Sequence, residues 1–554
     1  MLSQLAHRDN TLMQCSHWTH AIVLLLCLFG SQIGQAQFEG PRGPIGLVTQ
    51  AESLNPAVPG GYPVSLAPPD AFAAQTLPQT SLTAADIEAL IDERLAKQKE
   101  EEKAKEAALA PTATSKTPDL SMSGKWNKGL EFSTKDKSFK THIGGRYQLD
   151  STWYDVNQQV QDHINVPYGD GIDFRRARIR IDGVMYTHIE YCIEVDFVNS
   201  FRARNQPIAI PTPGFFEGTT PALTDFWWQV RDIPFFNVVR VGQQKEPIGF
   251  EHIVSSRFLP FMERSFNQDA FYGGVFNGFN PGISAWRAYG PEGNGTLHYG
   301  IYRPVNNPFG YNTGNGNYSV VGRITKLLAY NSDDSCVLHV GVSGKQGSAV
   351  SQAGVPGRVM TFRTRDAMRS GLSQDWPVPA GINLYGDDLQ QANFELAGIY
   401  GRWTMQSEYA ISSLQGARSE LHKEYHSNAV YNGGYVQLLC FLTDDHDHYD
   451  KERAAFDRVT PKQNFWVKKN PCGNSLGGGA WQVGARYDYL DLNDIGLNGG
   501  ILHNQTYGVN WFLNPNMKIQ FNYMNTYRDV SQTTAFRDGS GWIHGFGGRV
   551  ACDF

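Results

Sequence analysis

No run in this 554-residue chain is apolar enough to cross a bilayer as a helix; the longest, AIVLLLCLFG at 21–30, falls short of the ~18 residues such a span needs. Cysteine is scarce. Of seven, Cys15 and Cys27 lie near the amino terminus, and Cys192, Cys336, Cys440, Cys472 and Cys552 are scattered and odd in number. That excludes a disulfide framework and zinc spacing, and predicts free thiols on strands. There is no Gly-x-Ser-x-Gly elbow and no His-Glu-x-x-His helix, and Gly314-Asn-Gly-Asn lacks the strand-to-helix context of a phosphate loop. Neither catalysis nor a cofactor is expected. A basic excess is missing too: 48 Lys and Arg stand against 54 Asp and Glu, which gives no face for nucleic acid.

What the chain does have is strict alternation. In DFRRARIRIDGVMYTHIEYCIEVDFVN (173–199), Ala177, Ile179, Ile181 and Gly183 fall on one face, with Arg176, Arg178, Arg180 and Asp182 on the other. Ile189, Tyr191, Ile193, Val195 and Phe197 then alternate with His188, Glu190, Cys192, Glu194 and Asp196. Period two means two strands, each with an apolar and a charged face. Keeping the apolar sets together pairs odd residues with odd, centres the turn near Tyr186-Thr187, and sets the arginines across from Glu190, Glu194 and Asp196. By the same parity Arg175 points outward, toward a lipid headgroup boundary. The closing GFGGRVACDF repeats the pattern, with Phe546, Gly548, Val550, Cys552 and Phe554 opposite Arg549 and Asp553. Ile143, Tyr147 and Leu149 oppose Arg146, Gln148 and Asp150, and Val239 and Val241 oppose Arg240 and Gly242. Polar breaks such as 304–317 and 366–388 are too long for tight turns. Short turns at one end and long loops at the other predict an all-β, closed antiparallel transmembrane β-barrel, with outer-membrane lipid outside and a charged lumen within.

The amino-terminal part reads differently. The apolar run, followed by Gly34-Gln-Ala36, predicts a signal peptide over 1–36 and therefore export. Residues 37–81 form a Pro-rich linker. Residues 82–110 predict a short helix, opened by Thr83–Asp86 and striped by Ile87, Leu90, Ile91 and Leu95. That helix is either a short trimeric coiled coil or a lone solvated helix. A second linker, 111–128, leads to the barrel at 129–554.

The barrel blocks carry a family resemblance. KGLEFSTKDKSFKTHIGGRYQLDSTWYD (128–155), FRRARIRIDG, RVGQQKEPIGFEHIVSSRFLPFMERS (240–265), YVQLLCFLTDDHDHYDKERAAFDRVTP (435–461), GAWQVGARYDYLDL (479–492), GVNWFLNPNMKIQFNYMNT (508–526) and RVACDF stand in the order of the phosphate-selective porin O/P family, and resemble its successive blocks. The resemblance covers about 129–554. It implies a 16-stranded, homotrimeric outer-membrane porin of a Gram-negative-type bacterium, with a folded-in loop constricting each pore and passive uptake of small anions such as phosphate. The alternatives are a general porin without ionic preference, or a structural tether that conducts little.

The candidate pathway residues are Arg146, Arg176, Arg178, Arg180, Arg240 and Lys245, with Arg257 and Arg264 from the expected constriction segment 246–269. Glu190, Glu194 and Asp196 are the salt-bridge partners, so the arginines either capture anions or brace the wall. Residues 1–123 hold 8 Lys and Arg and 13 Asp and Glu, which leaves 40 against 41 for the rest. Selectivity must therefore come from local placement. Asp444, Asp445, His446, Asp447, His448 and Asp450 have the composition of a metal cluster, but a strand scatters alternate residues to opposite faces, and no metal is expected.

Overall fold

The structure is a computed structural model that describes residues 93–94, 96–97, 99, 119–198, 222–272, 278–304, 318–349, 359–369, 377–419, 427–465, 467–470, 473–533 and 539–554. The expected signal peptide and Pro-rich linker lie outside these residues. Of the expected helix, Glu93, Arg94, Ala96, Lys97 and Lys99 are helical, with Lys97 Nζ 3.1 Å from Glu93.

A hairpin of β1 (Met122–Trp126) and β2 (Leu130–Thr134) begins within the stretch expected as linker and pairs onto the start of β3 (Lys140–Val156). The chain then runs antiparallel through β4 (Gly171–Met185), β5 (Ile189–Asp196), β6 (Ala222–Ile233), β7 (Asn237–Lys245), β8 (Phe279–Tyr289), β9 (Gly295–Tyr302), β10 (Ser319–Tyr330) and β11 (Cys336–Ser348). A separate hairpin, β12 (Val359–Thr364) with β13 (Ala380–Tyr385), precedes β14 (Asp388–Tyr400), β15 (Trp403–Ala417) and β16 (Ser427–Phe441). Two small hairpins follow, β17 (Tyr449–Asp450) with β18 (Ala455–Phe456) and β19 (Val467–Asn470) with β20 (Gly473–Leu476). The last strands are β21 (Ala480–Asp494), β22 (Leu497–Asn514), β23 (Met517–Asp529) and β24 (Gly541–Asp553). β24 pairs with β3, Arg549 opposite Asp150, so β3–β11, β14–β16 and β21–β24 close into a ring of sixteen strands. Phe554 seals the seam through Gly145: its N–H donates to Gly145 O at 3.0 Å, and the Gly145 N–H donates to its carbonyl at 2.7 Å.

Parity holds around this ring. Ile179 is 49% exposed on the outer face while Arg178 is 7% exposed on the inner one. Ile193, Phe197, Phe546 and Val550 face out; Glu194, Asp196 and Arg549 face in. Met185 pairs with Ile189, so the turn lies at Tyr186–His188, with Tyr186 and Thr187 at positive φ. Arg175 departs from its expected outward direction. Gln148 pairs with Arg176 and Leu149 with Phe174, leaving Arg175 as the extra residue of a β-bulge. The bulge turns both arginines inward, and Arg175 is buried. Cys336 also differs from expectation, being disulfide-bonded, whereas Cys192, Cys440 and Cys552 are free.

Three segments fold into the barrel where the sequence predicted one. The β7–β8 connection enters as expected, with a helical turn at Phe250–Ile253. The β12–β13 hairpin packs beside it, Phe362 between Phe271 and Tyr431. The β16–β21 connection enters from the end that otherwise carries short turns, which places a long insertion where only tight turns were expected. Its Tyr449, Ala454 and Ala455 are buried in one cluster with Phe250 and Leu259. The wall makes room with small residues: a Cβ on Gly545 or Gly547 would lie 2.6 Å from Met368.

Candidate functional site

Each inserted segment is fastened to the wall by charge. Glu263 of the β7–β8 connection accepts from Arg175 Nε at 2.6 Å, Arg175 Nη2 at 3.0 Å and Arg549 Nη2 at 3.1 Å. Arg549 also holds Asp150 at 2.6 and 2.5 Å. Burial opposes the Glu263 charge, but Arg175, Arg369, Arg176 and Arg549 overcome it and keep the carboxyl well below the usual range. On the opposite wall Glu408 caps the helical turn, accepting from Phe250 N at 2.6 Å and Glu251 N at 2.9 Å. Arg365 and Arg369, beside the β12–β13 hairpin, hold Asp269 at 2.6 and 2.8 Å. Arg323 on β10 is paired to Glu395 at 2.7 Å and donates to the carbonyls of Arg453 and Ala454, which fixes the third segment.

These insertions are anchored on β4, β10, β15 and β24, while Arg180, Asp182, Asp225, Arg240 and Lys245 on the β4–β7 wall stay part-exposed. Most of the expected pathway residues gather on or against that wall. Arg146 donates to Glu194 at 2.6 Å; Arg178 spans Glu194 at 2.8 Å and Asp196 at 2.6 Å. Arg180 pairs with Asp182 at 2.8 Å and stands 3.9 Å from Asp225. Arg257 lies 3.8 Å from Glu194 and 3.7 Å from Asp553. Lys245 donates to His252 O at 2.5 Å, and Arg264 to the carbonyls of Glu251 and Val254 at 3.0 and 2.6 Å. Neither has an ion-pair partner among the described residues.

Three candidates sit apart. Arg176 donates to Gln148 at 2.6 Å and joins the Glu263 anchor. Arg240 lies between Trp227 and Trp286. Glu190 faces Gln229 and Arg231 rather than the β4 arginines, because the β4–β5 register sets Val184 opposite it. Sequence reasoning missed Arg323, Arg365, Arg369 and Lys518 of β23, whose Nζ donates to Leu259 O of the β7–β8 connection at 2.7 Å. Parity on SVVGRITKLLAY could have found Arg323; nothing local marks Arg365 or Arg369, which belong to a connection.

The acidic stretch after β16 is dispersed. Asp444 meets Lys462, Asp447 meets Thr404 and Gln482, His446 meets Asp333 O, and His448 meets Asp334. Among the described residues no three His, Cys, Asp or Glu side chains converge to hold a metal.

A closed ring of sixteen amphipathic strands, apolar outside and charged inside, defines a transmembrane β-barrel of the porin class. The chain matches the family of phosphate-selective porins O and P over residues 142–545, and belongs to it. It is thus an outer-membrane channel and not an enzyme. Among curated proteins it is similar to Porin O of Pseudomonas aeruginosa, 26% identical over 79% of this chain and 94% of that one. It is also similar to an uncharacterized protein of Caulobacter vibrioides, 25% identical over 77% of this chain and 76% of that one. Among solved structures it is similar to the anion-selective porin from Comamonas acidovorans, with 11% identity, a TM-score of 0.42, and coverage of 75% of this chain and 100% of that one.

Proposed function

We propose that the protein lets small hydrophilic solutes diffuse passively across the outer membrane, with a preference for anions such as phosphate. The observation that carries this is an imbalance on the open wall. Arg146, Arg178, Arg180, Lys245, Arg257 and Arg264 stand against Glu194, Asp196, Asp182, Asp225 and Asp553. The expected question of capture or bracing divides by residue. Arg178, buried between two carboxylates, braces. Arg264 donates only to carbonyls, which leaves its charge for a passing ion, and Lys245 beside it adds a donor that meets only the His252 carbonyl. In a narrow, low-dielectric lumen such charges focus the field, yet bind weakly enough to release. The family's members named for phosphate selectivity support the reading, and a homotrimeric assembly is part of the same proposal.

The test is the reversal potential in a planar bilayer under a salt gradient. The wild type should reverse on the anion side, and Lys245→Gln with Arg264→Gln should move it toward cations. Arg178→Gln should instead loosen the barrel. A wild-type reversal on the cation side refutes the anion preference; one at zero indicates a general porin.

A further inference from the structure

The periplasmic half of the open wall holds an arrangement separate from that cluster. Arg240 on β7 points inward between two indoles, its Cζ 3.8 Å from the ring centre of Trp227 and 4.6 Å from that of Trp286. Its Nε donates to Gln229 Oε1 at 2.8 Å, and no carboxylate pairs with it among the described residues. The side chain is part-exposed, so its terminal N–H groups are open to the lumen. The clamp is fixed from behind. Trp227 Nε1 donates to Asp225 at 3.0 Å, and Trp286 lies against His298, ring centres 5.0 Å apart, whose Nε2 has no hydrogen-bond partner. Gly242 sits opposite Trp227 at φ 131°; a Cβ there would lie 2.3 Å from Phe226 O and 2.7 Å from Trp227 Cα. Only glycine lets β6 approach closely enough to lay this indole on the guanidinium.

A guanidinium whose Cζ lies over two rings is held by both, and its planar fork presents two donors along one edge. That edge matches two oxygens held side by side, as in a carboxylate or a phosphate, and has no such match with a halide. We propose that Arg240, with Trp227 and Trp286, forms a second oxyanion site on the periplasmic side of the Lys245–Arg264 cluster, one that prefers paired oxygens over chloride. This rests on the anion preference proposed above.

The test is block of chloride current through the full-length protein in planar bilayers, with inorganic phosphate or acetate added on the periplasmic side. Wild type, Arg240→Lys and Trp227→Leu are compared; all three carry the same lumenal charge. Both variants should need about tenfold more phosphate and acetate for half-block, as expected for losing a charge-assisted hydrogen bond, while the reversal potential in potassium chloride stays unchanged. A rise for one blocker alone keeps the site and narrows its ligand to that oxyanion. An unchanged half-block in Arg240→Lys, with the wild type still reversing on the anion side, overturns this site and leaves the anion preference standing. Wild-type reversal on the cation side overturns both. Gel mobility without heating reports folding; if Trp227→Leu does not fold, Arg240→Lys decides alone.

Discussion

Glu263→Gln removes one charge from the lumen while keeping the side chain's shape, and it tests whether the β7–β8 insertion is held by ion pairing or by packing. Glu263 is 3% exposed, and Arg175 grips both its oxygens while Arg549 reaches one of them. With the carboxylate gone, Arg175 loses the charge that both its Nε and its Nη2 meet, and the buried cation is less well compensated. Removing one partner of a buried ion pair costs ~3–5 kcal/mol, and the acceptor retained by glutamine argues for the lower end, about 3 kcal/mol. The assay is thermal unfolding of the detergent-solubilised barrel, followed by circular dichroism and by the mobility difference between heated and unheated samples. Asp444→Asn serves as the control, because the Asp444–Lys462 pair is exposed and should be silent. Acid adds a second check. The folded Glu263 value lies below the ordinary one, so its contribution is complete above the unfolded value of ~4.3 and is lost only as pH falls through the depressed folded value. The gap between wild type and variant should therefore be the same at pH 7 and pH 5. Equal melting of the two proteins would refute the anchoring role of the Arg175 bulge.

On the outer face, Ile193→Arg puts a charge on a lipid-facing site and should cost about 2–4 kcal/mol of barrel stability in refolding titrations; no loss would show the β5 register to be wrong. Asp366, in the connection between β12 and β13, is pushed up to about 6 by burial, against hydrogen bonds from Tyr168 and Thr526. A carboxyl raised in the folded state favours folding most when protonated, so docking of the hairpin should be tightest below pH 4 and weaken as pH rises through about 6. Protection of Arg363 and Arg365 from trypsin should follow that curve in the wild type and be flat in Asp366→Asn; a curve retained in the variant would assign it to another group.

The wall was legible because a strand writes its two faces into alternate residues. Arg178, Glu194, Arg549 and Phe546 could be assigned a side from sequence, and all four point as expected. Arg175 could not, since a bulge shifts parity by one and leaves no mark in FRRARIRI. The filling of the lumen was less legible. Its fastenings join residues far apart in the chain: Phe250 and Glu408 are separated by 158 positions, and Arg323 and Ala454 by 131. Some signal was present, for Phe362, Ala367 and Met368, like Tyr449, Ala454 and Ala455, are more apolar than a solvated connection requires, and all are buried. Of the pathway candidates, the arginines of β4 came from alternation alone. That Arg178 meets two carboxylates while Lys245 and Arg264 meet carbonyls depends on where the inserted loop falls, which no strand pattern encodes.

The seam between β24 and β3 bears on how the protein is made. Asp150 and Arg549, paired across it, are 399 residues apart, so this is among the most non-local contacts the chain forms. Neighbouring strands zip through short connections; the seam waits until the whole ring is assembled. Until then both terminal strands offer unpaired edges, able to recruit another chain as readily as each other. Closing the ring therefore depends on those edges staying unpaired until the two ends meet. A clip in an interior connection would leave the finished ring standing, whereas loss of β24 alone would reopen it along its full height.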